Sequence, residues 1–205
     1  MTGILFCILM FTAVFCLKKL YPKLRGKAGE SRINRLIKNN FDPDHYALIP
    51  NVTLRTSRGT TQIVHIVVSE YGIFVIETKN MDGWIFGSEH SSKWTQVIYR
   101  SKHSFPNPLR QNYSHVCALK DLLDIPIDKF IPIVVFTGNL DFKTRMPANV
   151  IYSTELVEYM ESMDKPVFSR ETLYNIICKI LDNRLKEGSA TDREHIRNIR
   201  KRFPR

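Results

Sequence analysis

Between Gly72 and Asn80 the chain reads Ile73-Phe74-Val75-Ile76-Glu77-Thr78-Lys79, an apolar strand that ends in a carboxylate and an ammonium two residues apart. Side chains alternate across a strand, so Glu77 and Lys79 share one face. Thr61 to Ser69, rich in Val and Ile, precedes it across Glu70-Tyr71-Gly72, which predicts a hairpin of two buried strands. Strands this apolar need cover on both faces, and helices packed on a mixed sheet supply it. A Glu and a Lys at the end of such a strand are costly unless they pair with each other or serve a site.

The flanking segments supply the cover. A helix is expected from about residue 28 to 39, with Ile33, Leu36 and Ile37 as its apolar stripe. Glu30 falls on that stripe, either as a functional carboxylate or as a first-turn acid favoured by the helix dipole. Residues 46–54 read as a strand. A second hairpin is expected from 84–86 and 93–99 around Gly87-Ser88. Pro106-Asn107-Pro108 opens a helix over 109–123, and 130–137 is a strand apolar enough to be covered on both sides. Helices over 154–162 and 169–186 follow, the second with Ser169 as its N-cap. The pattern predicts an α/β sandwich around one mixed β-sheet flanked by helices.

Residues 3–17 carry no charge, and Lys18-Lys19, Lys23, Arg25 and Lys27 follow. The run lacks the polar stripe of a core helix, and lacks the basic start and small-x-small cleavage site of a signal peptide. As a helix it covers roughly 25 Å, and snorkelling lysines extend its reach toward a bilayer's thickness. We therefore expect an N-terminal transmembrane helix over 1–18 and a basic linker over 19–27. The main domain is expected over 28–140, a C-terminal helical extension over 141–190 and a basic tail over 191–205. The basic flank places the N-terminus outside the plasma (inner) membrane and the domain in the cytoplasm. The formal net charge of +10 suits a polyanionic partner, nucleic acid or anionic membrane, or a solvated basic surface. Cys7, Cys16, Cys117 and Cys178 show no metal-ligand spacing and read as reduced thiols. No Ser/His/Asp set, P-loop or dinucleotide-binding turn stands out.

Several motifs then agree. Gly26-x-x-Gly29-Glu30 opens the domain, and Thr61-Gln62-Ile63 leads into His65-Ile66-Val67-Val68-Ser69. Gly72 to Asn80 follows, with Gly83 and Trp94. Asn107-Pro108-Leu109-x-Gln111-Asn112-x-x-His115 marks a helix, and Pro132 to Phe136 a later strand. Over about residues 26–140 this resembles the nuclease-related (NERD) domain of the PD-(D/E)XK restriction-endonuclease-like superfamily. The resemblance implies a restriction-endonuclease-like fold and Mg²⁺- or Mn²⁺-dependent cleavage of nucleic acid, DNA ahead of RNA. It implies Glu77, Glu30 and the carbonyl of Thr78 as metal ligands, Lys79 as the group that orients water and offsets phosphate charge, and Gln111 as support.

One position departs from the family, which places an aspartate where this chain has Val64. If Ser69 pairs with Gly72, Val64 lies opposite Glu77 and Gln62 opposite Lys79, with Cβ atoms about 5 Å apart. Valine cannot ligate, so weak metal binding and weakened cleavage are expected. The alternative is an inactive, membrane-tethered module that grips nucleic acid or an acidic protein. Alternation sends His65 to the opposite face. Gln62, Lys93 and Arg110 are expected to meet substrate, and His115 to be structural. For Trp84 and Trp94, packing is favoured over stacking on bases.

Overall fold

The computed structural model describes the backbone of residues 2–186 and 188, with side chains from Leu20 onward. In chain order the elements are α1 (Thr2–Asn40), β1 (Tyr46–Thr56), β2 (Gly59–Ser69), β3 (Gly72–Asn80), β4 (Gly83–Phe86), β5 (Lys93–Ile98) and β6 (Ser101–Pro106). Then come α2 (Pro108–Leu123), β7 (Phe130–Thr137), β8 (Leu140–Phe142), β9 (Val150–Tyr152), α3 (Leu156–Glu161) and α4 (Arg170–Asn183). The Val- and Ile-rich runs form a five-stranded sheet in the order β1-β2-β3-β7-β9. β1, β2 and β3 are antiparallel neighbours, whereas β3–β7 and β7–β9 are parallel. The β3–β7 crossover needs a long connection, and it carries α2.

Helices cover both faces, as the continuous apolar strands require. On one face Ile66, Val68, Ile73 and Val75 pack against Val116, Leu119 and Leu123 of α2 and Leu173, Ile176 and Ile180 of α4. On the other, Val67, Phe74, Ile76, Ile133 and Val135 meet Ile33 and Ile37 of α1 and Leu156 and Met160 of α3. The alternation of β3 thus sends Val75 toward α2 and Ile76 toward α1.

The structure divides its strands between two sheets where the sequence pattern suggested one. The second has four strands in the order β6-β5-β4-β8. β4 and β5 pair antiparallel as the expected hairpin, joined by the loop over 87–92. Its inner face buries Ile85 and Trp94 with Phe136 and Leu140. Trp94 lies parallel to Phe136 with centroids 6.1 Å apart. Gly87 is needed there, because a Cβ would come within 2.2 Å of the Trp94 ring. β6 escapes sequence reading because Ser-Lys-His-Ser is polar and exposed, and β8 and β9 have three residues each. β9 also makes the segment after residue 140 part of the main sheet, not a purely helical extension.

The expected linker over 19–27 is helical, and α1 passes through Pro22 without ending. Proline there removes one backbone donor and favours a local bend. Among the described residues no helix is long and apolar enough to cross a membrane. The expected anchor, residues 1–18, lies outside the described side chains, and the basic tail over 191–205 lies outside the described residues.

Where α1 meets the sheet, two glycines three residues apart behave oppositely. A Cβ on Gly29 would stand 2.8 Å from Asn80 Cβ and 3.0 Å from Thr137 Oγ1, at the ends of β3 and β7. Nothing lies within 4 Å of a Cβ on Gly26. Both are helical, so alanine gains about 0.5–1 kcal/mol of helix propensity at either. At Gly29 the overlap with a Cβ near the strand backbone outweighs it by about 1–3 kcal/mol. Gly26→Ala should therefore raise, and Gly29→Ala lower, the free energy of unfolding in urea titrations.

Candidate active site

The site grows from the end of β3. Glu77 and Lys79 continue the face that Val75 presents to α2, while Thr78 continues the α1 face. Glu77 is 4% exposed, so its charge is held where water cannot solvate it. Its Oε1 lies 2.7 Å from Lys79 Nζ, and its Oε2 lies 3.4 Å from His115 Nε2. Lys79 Nζ also donates to Gln111 Oε1 at 3.0 Å. Burial pushes the Glu77 carboxyl up, but Lys79 and His115 together outweigh it and hold the group below the ordinary carboxylate value. Removing Lys79 would leave a buried carboxylate short of its main partner, at a cost of about 3–5 kcal/mol.

The motif on α2 explains how the helix reaches this strand end. Asn107 caps it by accepting from Leu109 N–H, and its amide donates to the carbonyls of Ser88, Glu89 and Ser91. Asn112, fully buried, donates to the carbonyls of Val75 and Ile133 on adjacent strands. Those two anchors fix the helix rotation. Gln111 and His115, four residues apart on one side, then meet Lys79 and Glu77. His115 Nδ1 shares a hydrogen bond of 2.9 Å with the Thr61 hydroxyl. When that hydroxyl donates, the ring proton sits on Nε2 and faces Glu77.

Glu30 enters from α1, brought close by the bare Gly29. Desolvation raises its carboxyl above the usual range, and the negative charge of Glu77 raises it further against a partial offset from Lys27. The two carboxylates therefore act on each other across the end of β3. The other face carries His65, whose Nδ1–H donates to Asn34 Oδ1 at 2.8 Å and whose Nε2 accepts from the Thr78 hydroxyl at 3.0 Å. Both bonds suit the neutral ring. Desolvation lowers its pKa to about 4, with Glu77 opposing.

Val64 sits at an irregularity. The β2–β3 pairs run from Ser69↔Gly72 to His65↔Ile76, and one further step would set Val64 across from Glu77. In β1–β2 the pairs Pro50↔His65 and Val52↔Ile63 flank a gap at Asn51 and Val64, and Asn51 has φ +54°. Ile49 and Ile66 before the gap, and Val52 and Ile63 after it, all pack in the same cluster, so strict alternation breaks there. Thr61 consequently faces His115, and Gln62, its neighbour on a regular strand, is sent to the opposite face from Lys79. That corrects the expected Gln62–Lys79 pairing.

Of the expected residues, Glu77, Lys79 and Gln111 share one set of contacts, and Glu30 is linked to them through the charge of Glu77. Lys93 stands on β5 of the second sheet, and the Arg110 guanidinium donates to the His90 carbonyl at 2.6 Å. His115, expected to be structural, and Thr61 join the site. The helical spacing from Gln111 signals the first, but no local pattern signals the second. Among the described residues, no group of three or more His, Cys, Asp or Glu is arranged to hold a metal ion. Cys117 and Cys178 are free thiols, and the other two cysteines lie outside the described side chains.

The model of the nuclease-related domain matches residues 25–137. An uncharacterized protein of Bacillus anthracis is 36% identical over 191 residues, covering 91% of this chain and 89% of that relative. No solved structure matches the chain significantly.

A neutral folded His65 makes stability depend on pH. Between its ordinary value of 6.5 and the folded value of about 4, the unfolded chain binds a proton that the folded chain does not. Stability therefore falls as pH falls through that window, by about 3 kcal/mol in full. The loss from Glu77, whose folded value is depressed, begins only below its ordinary 4.5. Chemical denaturation from pH 7 to 4 should show a loss about 3 kcal/mol steeper for the parent chain than for His65→Gln.

Proposed function

The chain belongs to the nuclease-related domain family, and from that premise we propose that it is a phosphodiester-cleaving domain of the restriction-endonuclease-like superfamily with a cation site weakened by Val64. The observation that carries the reading is the convergence of Glu77, Lys79 and Gln111 in one set of contacts, with Glu30 electrostatically coupled to it. A fold needs no buried carboxylate there, and an apolar residue would be cheaper.

The donor chemistry suits a hard divalent ion, though incompletely. Glu30 and Glu77 repel one another, which a cation between them relieves, and Mg²⁺ takes one or two carboxylates with water and substrate phosphate. Glu77, Glu30 and the carbonyl of Thr78 are the proposed ligands for Mg²⁺ or Mn²⁺. When bound, such an ion acts as a Lewis acid and eases loss of a proton from water. Lys79, steadied by Gln111, orients water and offsets phosphate charge. His115 holds the second Glu77 oxygen, and Thr61 fixes His115. DNA is favoured as substrate over RNA, with Lys93 contributing positive charge. The Arg110 guanidinium, engaged by a carbonyl, is less available than its position suggested.

A second reading is favoured by the same contacts. One Glu77 oxygen faces the Lys79 ammonium and the other lies 3.4 Å from His115 Nε2, and Val64 brings no further carboxylate. On that reading the domain binds nucleic acid or an acidic protein without cleaving it. In either case we propose that residues 1–18 seat the chain in the inner membrane, with the domain on the cytoplasmic side.

The test is Val64→Asp. A carboxylate at position 64, one step beyond the last β2–β3 pair, should raise Mg²⁺- or Mn²⁺-dependent cleavage of DNA or RNA at least tenfold over the parent chain, with loss on chelation. Calorimetry should show tighter Mn²⁺ binding in parallel. If the substituted chain neither cleaves faster nor binds the ion more tightly, the cleavage reading fails.

A further inference from the structure

The outer face of the second sheet carries features that the proposed site does not use. Ile85, Trp94 and Gln96 turn inward, so Trp84 and Phe86 on β4 turn outward, and they are 50% and 37% exposed. They lie two residues apart, about 7 Å along the strand. Cross-strand pairing sets Val97 and Lys102 beside Trp84, and Thr95 and Ser104 beside Phe86. Lys143 stands over the Trp84 ring, 5.1 Å from its centroid. Lys93 begins β5 on the same outward side.

At one end of this face Trp84, Ile98, Tyr99, Asn139 and Asp141 line a cavity of about 580 Å³. Tyr99 opens the β5–β6 turn with φ +52° and is 97% exposed. A bulky residue in the left-handed region costs about 1–2 kcal/mol, and packing does not recover it here. The acids nearby are already paired. Asp141 lies 3.4 Å from Lys143, and Asp82 is engaged by Arg25. With Lys143 balanced by Asp141, Lys93, Arg100 and Lys102 leave the surface positive.

We propose that this face is a platform for single-stranded nucleic acid, with bases stacking on Trp84, Phe86 and Tyr99 and lysines meeting the phosphates. The proposal rests on the nucleic-acid reading above and narrows it to unpaired strands. Exposed rings spaced along a strand suit successive unstacked bases, whereas a duplex hides its base faces. Continuity of the chain supports it too. β3 runs into β4 through Met81 and Asp82, so the cavity wall begins at most about 11 Å of backbone from Lys79. The platform and the candidate active site are thus built on adjoining stretches of chain.

The experiment is fluorescence anisotropy of labelled oligothymidylate and of a duplex of equal length with the full-length chain in detergent, under chelation so that nothing is cleaved. The single strand should bind at least tenfold tighter. Trp84→Ala should weaken it roughly tenfold, within the range for one stacked base, and Trp84→Phe should restore most of the loss. Oligonucleotide should quench tryptophan emission in the parent chain but not in Trp84→Phe, which keeps the buried Trp94. Tyr99→Gly should melt higher yet bind more weakly, a pairing that a purely structural tyrosine would not give. Unchanged affinity in Trp84→Ala, or preference for duplex, overturns the platform and leaves the nucleic-acid reading standing. No binding of either oligonucleotide by the parent chain overturns both.

Discussion

A carboxylate withdrawn from water at the end of β3 dictates much of what surrounds it. Glu77 is buried, and a buried charge persists only among groups that compensate it. Lys79 satisfies one oxygen from the same strand, and His115 approaches the other from α2. That second contact requires the helix to sit at one rotation and one height. Asn112 supplies this by holding the carbonyls of two neighbouring strands, and Asn107 by tying the helix start to the 88–91 loop. The polar residues of α2 are therefore a positioning device, and the apolar ones below them provide the adhesion.

The opposite face uses a different economy of groups. His65 is kept neutral between an amide oxygen and a hydroxyl, joining α1 to β2 and β3 without placing a charge in the core. Gly29 then allows the helix to touch the sheet ends where any side chain would hold it off. Helix and sheet meet closely enough for Glu30 and Glu77 to feel each other, although they start from opposite sides of the sheet.

Much of this was legible in the residues. β2, β3 and β7 announce themselves through Val, Ile and Phe runs bounded by turn residues, and the α2 motif announces its cap. Strand alternation put Glu77 and Lys79 on one face and helical spacing put Gln111 beside His115, but grouping them with Glu30 came from the resemblance to the nuclease-related family. The second sheet was less legible, since β6 is polar and β8 and β9 are too short to show a period. Its loop from 87 to 92 is held by Asn107, a residue many positions away. The Thr61–His115 contact depends on the irregular step at Asn51 and Val64. Asn tolerates positive φ better than most residues, but that tolerance alone does not say the chain will use it. A face assignment carried past such a step inverts, as it did for Gln62.

α1 has a geometric consequence of its own. It is one uninterrupted helix from Thr2 to Asn40, so residues near its start and Glu30 are joined by a stiff rod and not by a tether. From Lys19 to Glu30 the rise is about 16 Å. With the apolar run embedded as proposed, the candidate site would stand off the lipid headgroups by somewhat less than the width of a duplex. Substrates would be sorted by whether they can enter that narrow layer.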